Sequence, residues 1–232
     1  MTFKDKFLQA EKGATLLLAC FGDSVTQGAF ETGVFDYQAV YHNQLRLKVE
    51  LAFPGRSVSV LNAGIGGDDT KRGLARMEQD VLVHRPDLCV VCFGLNDIAA
   101  GSKEDYVAGL STIFERLRAA GIETIFMTPN SMNTYFAPDT PARWAEFAHQ
   151  TAQWVNEGKM DEYIDAARET AAAYGVTLCD AYAVWQRMRA AGQDIPLRLA
   201  NRINHPTRDM HRLFADLLFQ TIFGTTQPPA TP

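Results

Sequence analysis

The sequence is poor in cysteine, with four residues among 232: Cys20, Cys89, Cys92 and Cys179. Each lies in or beside an apolar run of strand length. They do not form the spaced framework of a small secreted scaffold, and buried free thiols in a reducing cytoplasm are the expectation. Cys89-Val90-Val91-Cys92 has C-x-x-C spacing, but inside a strand pattern rather than at a helix start, which argues against a redox or zinc role. No apolar run approaches the ~20 residues that span a bilayer. Met1–Gly13 carries Lys4, Asp5, Lys6, Glu11 and Lys12 and no apolar core, so a secretory signal is not expected. Positive charge is also in deficit: 22 Lys+Arg against 27 Asp+Glu give a net charge of −5. With no basic run, neither nucleic acid nor membrane insertion is expected. There is no Gly-Lys-Ser/Thr and no G-x-G-x-x-G to cradle phosphate. His205 and His211 lack a metal-ligand spacing, so neither a metal nor an organic cofactor is anticipated.

What is present reads as one globular domain over residues 1–232. The chain is 47% hydrophobic and 21% charged, and a chain this long buries a core without disulfides or metal. Strand and helix patterns alternate. Thr15–Phe21, Ser57–Leu61, Leu88–Phe93, Thr124–Met127 and Val176–Cys179 read as five strands. Helical periodicity fills Tyr37–Phe53, Thr70–His84, Ser102–Ala120, a stretch ending near Tyr174-Gly175, Tyr182–Ala191 and Arg208–Phe223. Strands apolar throughout and separated by helices predict a parallel sheet covered on both faces. Residues 1–13 read as an N-terminal extension and Gly224–Pro232 as a frayed, flexible tail. Residues 129–156 are the unusual insert. Their Tyr135, Phe136, Trp144, Phe147 and Trp154 suit either a helical hairpin packed on the sheet or an aromatic lid over a site.

In such sheets the ligand crevice lies beyond the carboxyl ends of the strands. Small-residue turns carrying polar groups stand where that rule points. They are Gly22-Asp23-Ser24 after the first strand, Asn62 to Thr70 with Gly66-Gly67 after the second, and Gly94-Leu95-Asn96-Asp97 after the third. Asn204-His205-Pro206 stands before the last helix. A serine needs a base to become a nucleophile, and a developing oxyanion needs fixed N–H donors, each worth on the order of 3 kcal/mol. Taken singly, every one of these segments also reads as an N-cap, a tight turn or a helix entry.

Taken together and in this order, the four segments resemble the GDSL-type esterases, or SGNH hydrolases, over about residues 15–220. The resemblance implies a three-layer α/β/α flavodoxin-like fold with a five-stranded parallel sheet, and hydrolysis of a small-molecule ester without a cofactor. It assigns Ser24 as nucleophile, His205 as base, and Gly67 and Asn96 as oxyanion donors beside the Ser24 amide. Asp23 and Asp97 are expected to brace their own loops. One departure stands out. The family's aspartate, three residues before the histidine, is Arg202 here. Either a Ser24–His205 dyad has its imidazole fixed by a backbone carbonyl or by Asn201, or a carboxylate from elsewhere, Asp194 or Asp180, swings in. The question matters because an Asp→Asn change in a serine-protease triad costs ~10⁴-fold in turnover. With no long apolar channel legible, short acetyl-like esters are expected, carbohydrate O-acetyl groups among them. The alternatives are a lysophospholipase or thioesterase for longer chains, and an impaired member that only binds ligand.

Overall fold

A computed structural model describes residues 1–11 and 13–224. Five strands form one parallel sheet: β1 (Thr15–Gly22), β2 (Ser57–Gly64), β3 (Leu88–Cys92), β4 (Glu123–Met127) and β5 (Thr177–Cys179). Their order is β2-β1-β3-β4-β5, the flavodoxin-like arrangement whose switch point lies between β1 and β3. The central β3 is buried at every position, as a strand covered on both faces must be. At the edge, β2 carries Ser57, Ser59 and Asn62 among its apolar residues and is only partly buried.

The described residues hold ten α-helices: α1 (Phe3–Gln9), α2 (Ser24–Gln27), α3 (Tyr41–Ala52), α4 (Thr70–Asp80), α5 (Asp97–Ala100), α6 (Lys103–Ala119), α7 (Ala145–Asn156), α8 (Lys159–Ala173), α9 (Ala181–Ala190) and α10 (Arg208–Phe223). α3 and α10 pack together on one face, joined by α1, while α4, α6 and α8 cover the other. This three-layer α/β/α sandwich is the fold anticipated above. None of the described helices is long and apolar enough to cross a membrane.

Boundaries moved for local reasons. The helix expected from Tyr37 begins at Tyr41, because Asp36 Oδ1 accepts from the amides of Gln38 and Ala39 and holds a turn there. β2 runs past Leu61 to Gly64, since Phe21 and Gly22 of β1 offer Ala63 and Gly64 partners. The N-terminal extension contains α1, opened by a Thr2/Asp5 capping box that precedes buried Phe3 and Phe7. Phe7 meets Phe53 and Phe223 edge-on. Cys89 and Cys92, three apart on a strand, point to opposite faces. Burial pushes their thiols well above the ordinary range. The tail expected to fray lies, beyond Gly224, outside the described residues.

The insert is not a helical hairpin. Residues 129–141 are irregular, a single 3₁₀ turn spans Ala142–Trp144, and α7 follows. Its backbone is held by buried amides. Asn133 donates to the carbonyls of Tyr135 and Ala148 (2.9 and 2.8 Å) and accepts from Thr151, while Asn130 reaches the Asn204 carbonyl at 2.8 Å. Asn130, Met132 and Asn133 are fully buried. Such a segment is fastened to the loop that carries His205.

Candidate active site

Gly22 ends β1, and Asp23 caps the single turn of α2 by accepting from the Val25 amide at 2.9 Å. This sets Ser24 at the first helical position, 9% exposed. The turn needs room. A Cβ on Gly64 would collide with the backbone of Thr26 and Gln27, so glycine there lets α2 lie against the end of β2. Gln27 then organises the next loop: its Oε1 accepts from the Gly66 amide at 2.8 Å, and its carbonyl accepts from Asn62. Gly67 follows with φ of 81°, a left-handed conformation that suits glycine. Among the described residues, no hydrogen bond uses the amides of Ser24 or Gly67. Asn96, at the end of the loop after β3, donates one amide proton to the Asp68 carbonyl at 2.9 Å. Its second amide proton remains available.

His205 completes the group. Its Nε2 lies 3.1 Å from Ser24 Oγ. Its Nδ1 lies 2.9 Å from the carbonyl oxygen of Phe30. A carbonyl only accepts, so Nδ1 carries the proton and Nε2 is left to accept from the serine. Burial pulls the imidazole's pKa below its ordinary 6.5, against a smaller upward pull from the Phe30 carbonyl. The neutral, proton-accepting form therefore prevails at neutral pH. Ser24, Gly67, Asn96 and His205 all line one cavity of about 330 Å³. Val34, Phe35, Trp144, Phe147 and Ile203 form its apolar walls.

The departure near His205 is resolved by a backbone atom. Asn201, a candidate for orienting the ring, makes no hydrogen bond to the imidazole. Its Oδ1 accepts from the amides of Ile203, Asn204 and His205 (3.0, 2.9 and 2.9 Å), which curls the loop around it. The carboxylate candidates are committed elsewhere. Asp180 caps α9 and pairs with Arg168, and Asp194 accepts from the Tyr135 hydroxyl at 2.8 Å. Asp23 accepts from the Val25 amide within its own loop. Asp97 instead reaches across to α4, accepting from the Thr70 amide and hydroxyl at 2.9 and 2.6 Å. Burial raises both carboxyls, Asp23 to about 7 and Asp97 to about 6. Of the insert's aromatics, Trp144 and Phe147 line the cavity. Phe136 packs on His149, and Trp154 on Phe147 and Lys159.

Three contributors had no sequence signal of their own. The Phe30 carbonyl is a main-chain atom. Arg76 binds the Gly22 and Ala63 carbonyls (3.0 and 2.8 Å) and Asp68 (2.7 Å), tying the ends of β1 and β2 to the loop beneath Asn96. The 29–37 loop supplies one cavity rim; only Gly28 and Gly33, both with positive φ, hint at its turns. No three His, Cys, Asp or Glu side chains among the described residues gather as a metal-ligand set.

The model of the GDSL-like Lipase/Acylhydrolase family matches residues 20–213. The chain belongs to that family. The family match covers all four segments of the site. Among curated relatives of this acylhydrolase-family chain is the uncharacterized lipoprotein YqeF of Bacillus subtilis (strain 168), 31% identical over 118 residues, 48% of this chain and 47% of that protein. Another is an arylesterase of Vibrio mimicus, 34% identical over 74 residues, 32% of this chain and 37% of that protein. These matches span less than half the length of either relative. Among solved structures, the acetylxylan esterase Axe2 of Geobacillus stearothermophilus aligns with a TM-score of 0.70 at 19% identity, covering 92% of this chain and 97% of that one. The acetyl xylan esterase AlAXEase aligns with a TM-score of 0.69 at 20% identity, covering 90% and 100%. At such identities the likeness concerns the fold.

Proposed function

We propose that this chain is a serine esterase that hydrolyses short-chain, acetyl-like esters through an acyl-enzyme on Ser24. The observation that carries the reading is the hydrogen-bonded chain Ser24 Oγ, His205 Nε2, His205 Nδ1, Phe30 carbonyl, with links of 3.1 and 2.9 Å. His205 Nε2 takes the serine proton as Oγ attacks the ester carbonyl. The oxyanion is met by the amides of Ser24 and Gly67 and by the free amide proton of Asn96. The imidazolium then protonates the departing alcohol. Water, deprotonated by the same nitrogen, releases the acid from Ser24. The Phe30 carbonyl keeps the tautomer correct and accepts from the imidazolium, though it brings no full negative charge.

Family membership and the esterases among the relatives and fold neighbours support the reaction class. The acyl preference is supported by the cavity: about 330 Å³ is near the lower end of the range of about 300–1,000 Å³ for small-molecule sites. An acetyl group on a sugar hydroxyl is one ester of this size, and Trp144 at the rim offers a face for a ring to rest on. Initial rates with acetyl, butyryl and octanoyl esters of one alcohol test the preference. We expect the acetyl ester to give the highest kcat/KM; rates rising with chain length would instead identify a longer-chain acylhydrolase.

A further inference from the structure

The carbonyl on which His205 depends belongs to a surface loop, and something must keep that loop in place. The loop from Ala29 to Tyr37 has little regular structure. An isolated bridge joins Ala29 and Phe35, and the Phe30 amide donates to the Val34 carbonyl. Arg208, the first residue of α10 and three past His205, lies across it. Its Nε donates to Asp36 Oδ2 at 2.9 Å, and its Nη1 to Glu31 Oε1 at 2.8 Å. The guanidinium also sits 4.6 Å from the centre of the Phe30 ring. That ring is fully buried and packs on His211, 4.6 Å away between centroids.

We propose that Arg208 is a positioning residue for catalysis: by joining Glu31 and Asp36 it holds the 29–37 loop so that the Phe30 carbonyl stays on His205 Nδ1. The arrangement closes on itself. The segment His205-Pro206-Thr207-Arg208 delivers the base and, three residues later, grips the loop that orients it. Both acids are held below their usual range, Glu31 chiefly by Arg208, and Asp36 by the Ala39 amide and then by Arg208. The clamp therefore remains ionised across neutral pH. As an exposed ion-pair cluster it contributes little to global stability, so its effect is expected in the chemical step. The inference rests on the esterase reading above.

The test combines steady-state kinetics on an aryl acetate with the rate at which a fluorophosphonate labels Ser24. It uses wild type, Arg208→Met, Arg208→Lys and Asp36→Asn. In Asp36→Asn the amide oxygen still accepts from Gln38 and Ala39, and the charge facing Arg208 is lost. We expect Arg208→Met to lower kcat and the labelling rate by on the order of 10-fold, up to the ~10²-fold that a 1 Å misplacement costs, with KM within about twofold. Arg208→Lys, charged but without the fork, should recover part of the loss, and Asp36→Asn should fall between. The result that overturns the clamp is a folded Arg208→Lys and Asp36→Asn pair that label and turn over as fast as wild type. A loss in Arg208→Met appearing only as raised KM, with unchanged labelling, would also overturn it. Failure of wild type to label at all would overturn the esterase reading itself, and the clamp with it.

Discussion

On one side of Ser24, the loops after β1, β2 and β3 are tied by buried acids and one arginine. Asp23 caps α2, Asp97 holds the start of α4, and Arg76 gathers Asp68 with two strand-end carbonyls. On the other side, the imidazole of His205 hydrogen-bonds to no carboxylate among the described residues. It rests on the Phe30 carbonyl, with Asn201 curling the loop beneath and Arg208 fastening the loop opposite. The carboxylates here thus brace the loops after the strands, while the imidazole is oriented by a neutral dipole. A buried carboxylate contributes in proportion to the donors it satisfies. Here those donors belong to the scaffold around the reacting groups.

The sharpest way to break this comparison is to remove the reacting pair. Ser24→Ala should lower kcat/KM by on the order of 10⁴-fold or more, and His205→Ala by nearly as much, because residues acting as a unit are not additive. The double variant should therefore be scarcely worse than either single one in initial-rate assays. Additive losses would mean that the two side chains do not work together. Next in size is the donor side. Asn96→Ala should cost about 10²–10³-fold in kcat with a smaller change in KM, the loss of one preorganised donor. A change in KM alone would remove Asn96 from oxyanion binding.

The smallest effect probes the bracing acids through stability. Asp97 is raised from 3.8 to about 6 by burial, against the pull of its Thr70 hydrogen bonds. The folded state therefore holds a proton that the unfolded state has released, and stability from this group falls as pH rises from about 3.8 through about 6. Asp97→Asn removes that component. Relative to wild type, the variant should gain on the order of 2–3 kcal/mol between pH 4 and pH 7 in urea unfolding. A constant difference across that range would contradict the assignment.

Much of this was legible in the primary structure because strand-end chemistry in a parallel sheet obeys a positional rule. Ser24, Gly67 and Asn96 each follow a strand, and the rule requires those loops to share one crevice. His205 was found by its residue type and its place before α10. The rest was hidden for identifiable reasons. The Phe30 carbonyl is an atom every residue possesses, so no pattern marks it. Arg76 and Arg208 resemble any other surface arginine until the loops they bridge are folded. Asn201 occupied the right stretch for orienting the ring, but an amide oxygen near several free backbone N–H groups satisfies those first. The aromatics of 129–156 suit either a helical hairpin or a lid; only Ala145–Asn156 is α-helical, and the Asn130 and Asn133 side chains hold the irregular backbone before it, a use of asparagine that no pattern marks.

The most direct measurement is to incubate the protein with an aryl acetate, quench the mixture and locate any acetyl group by peptide mass spectrometry. The account predicts acetyl on Ser24, accumulating before steady state and absent from Ser24→Ala. Full turnover with Ser24 never acetylated, or the acetyl carried by another side chain, would contradict it.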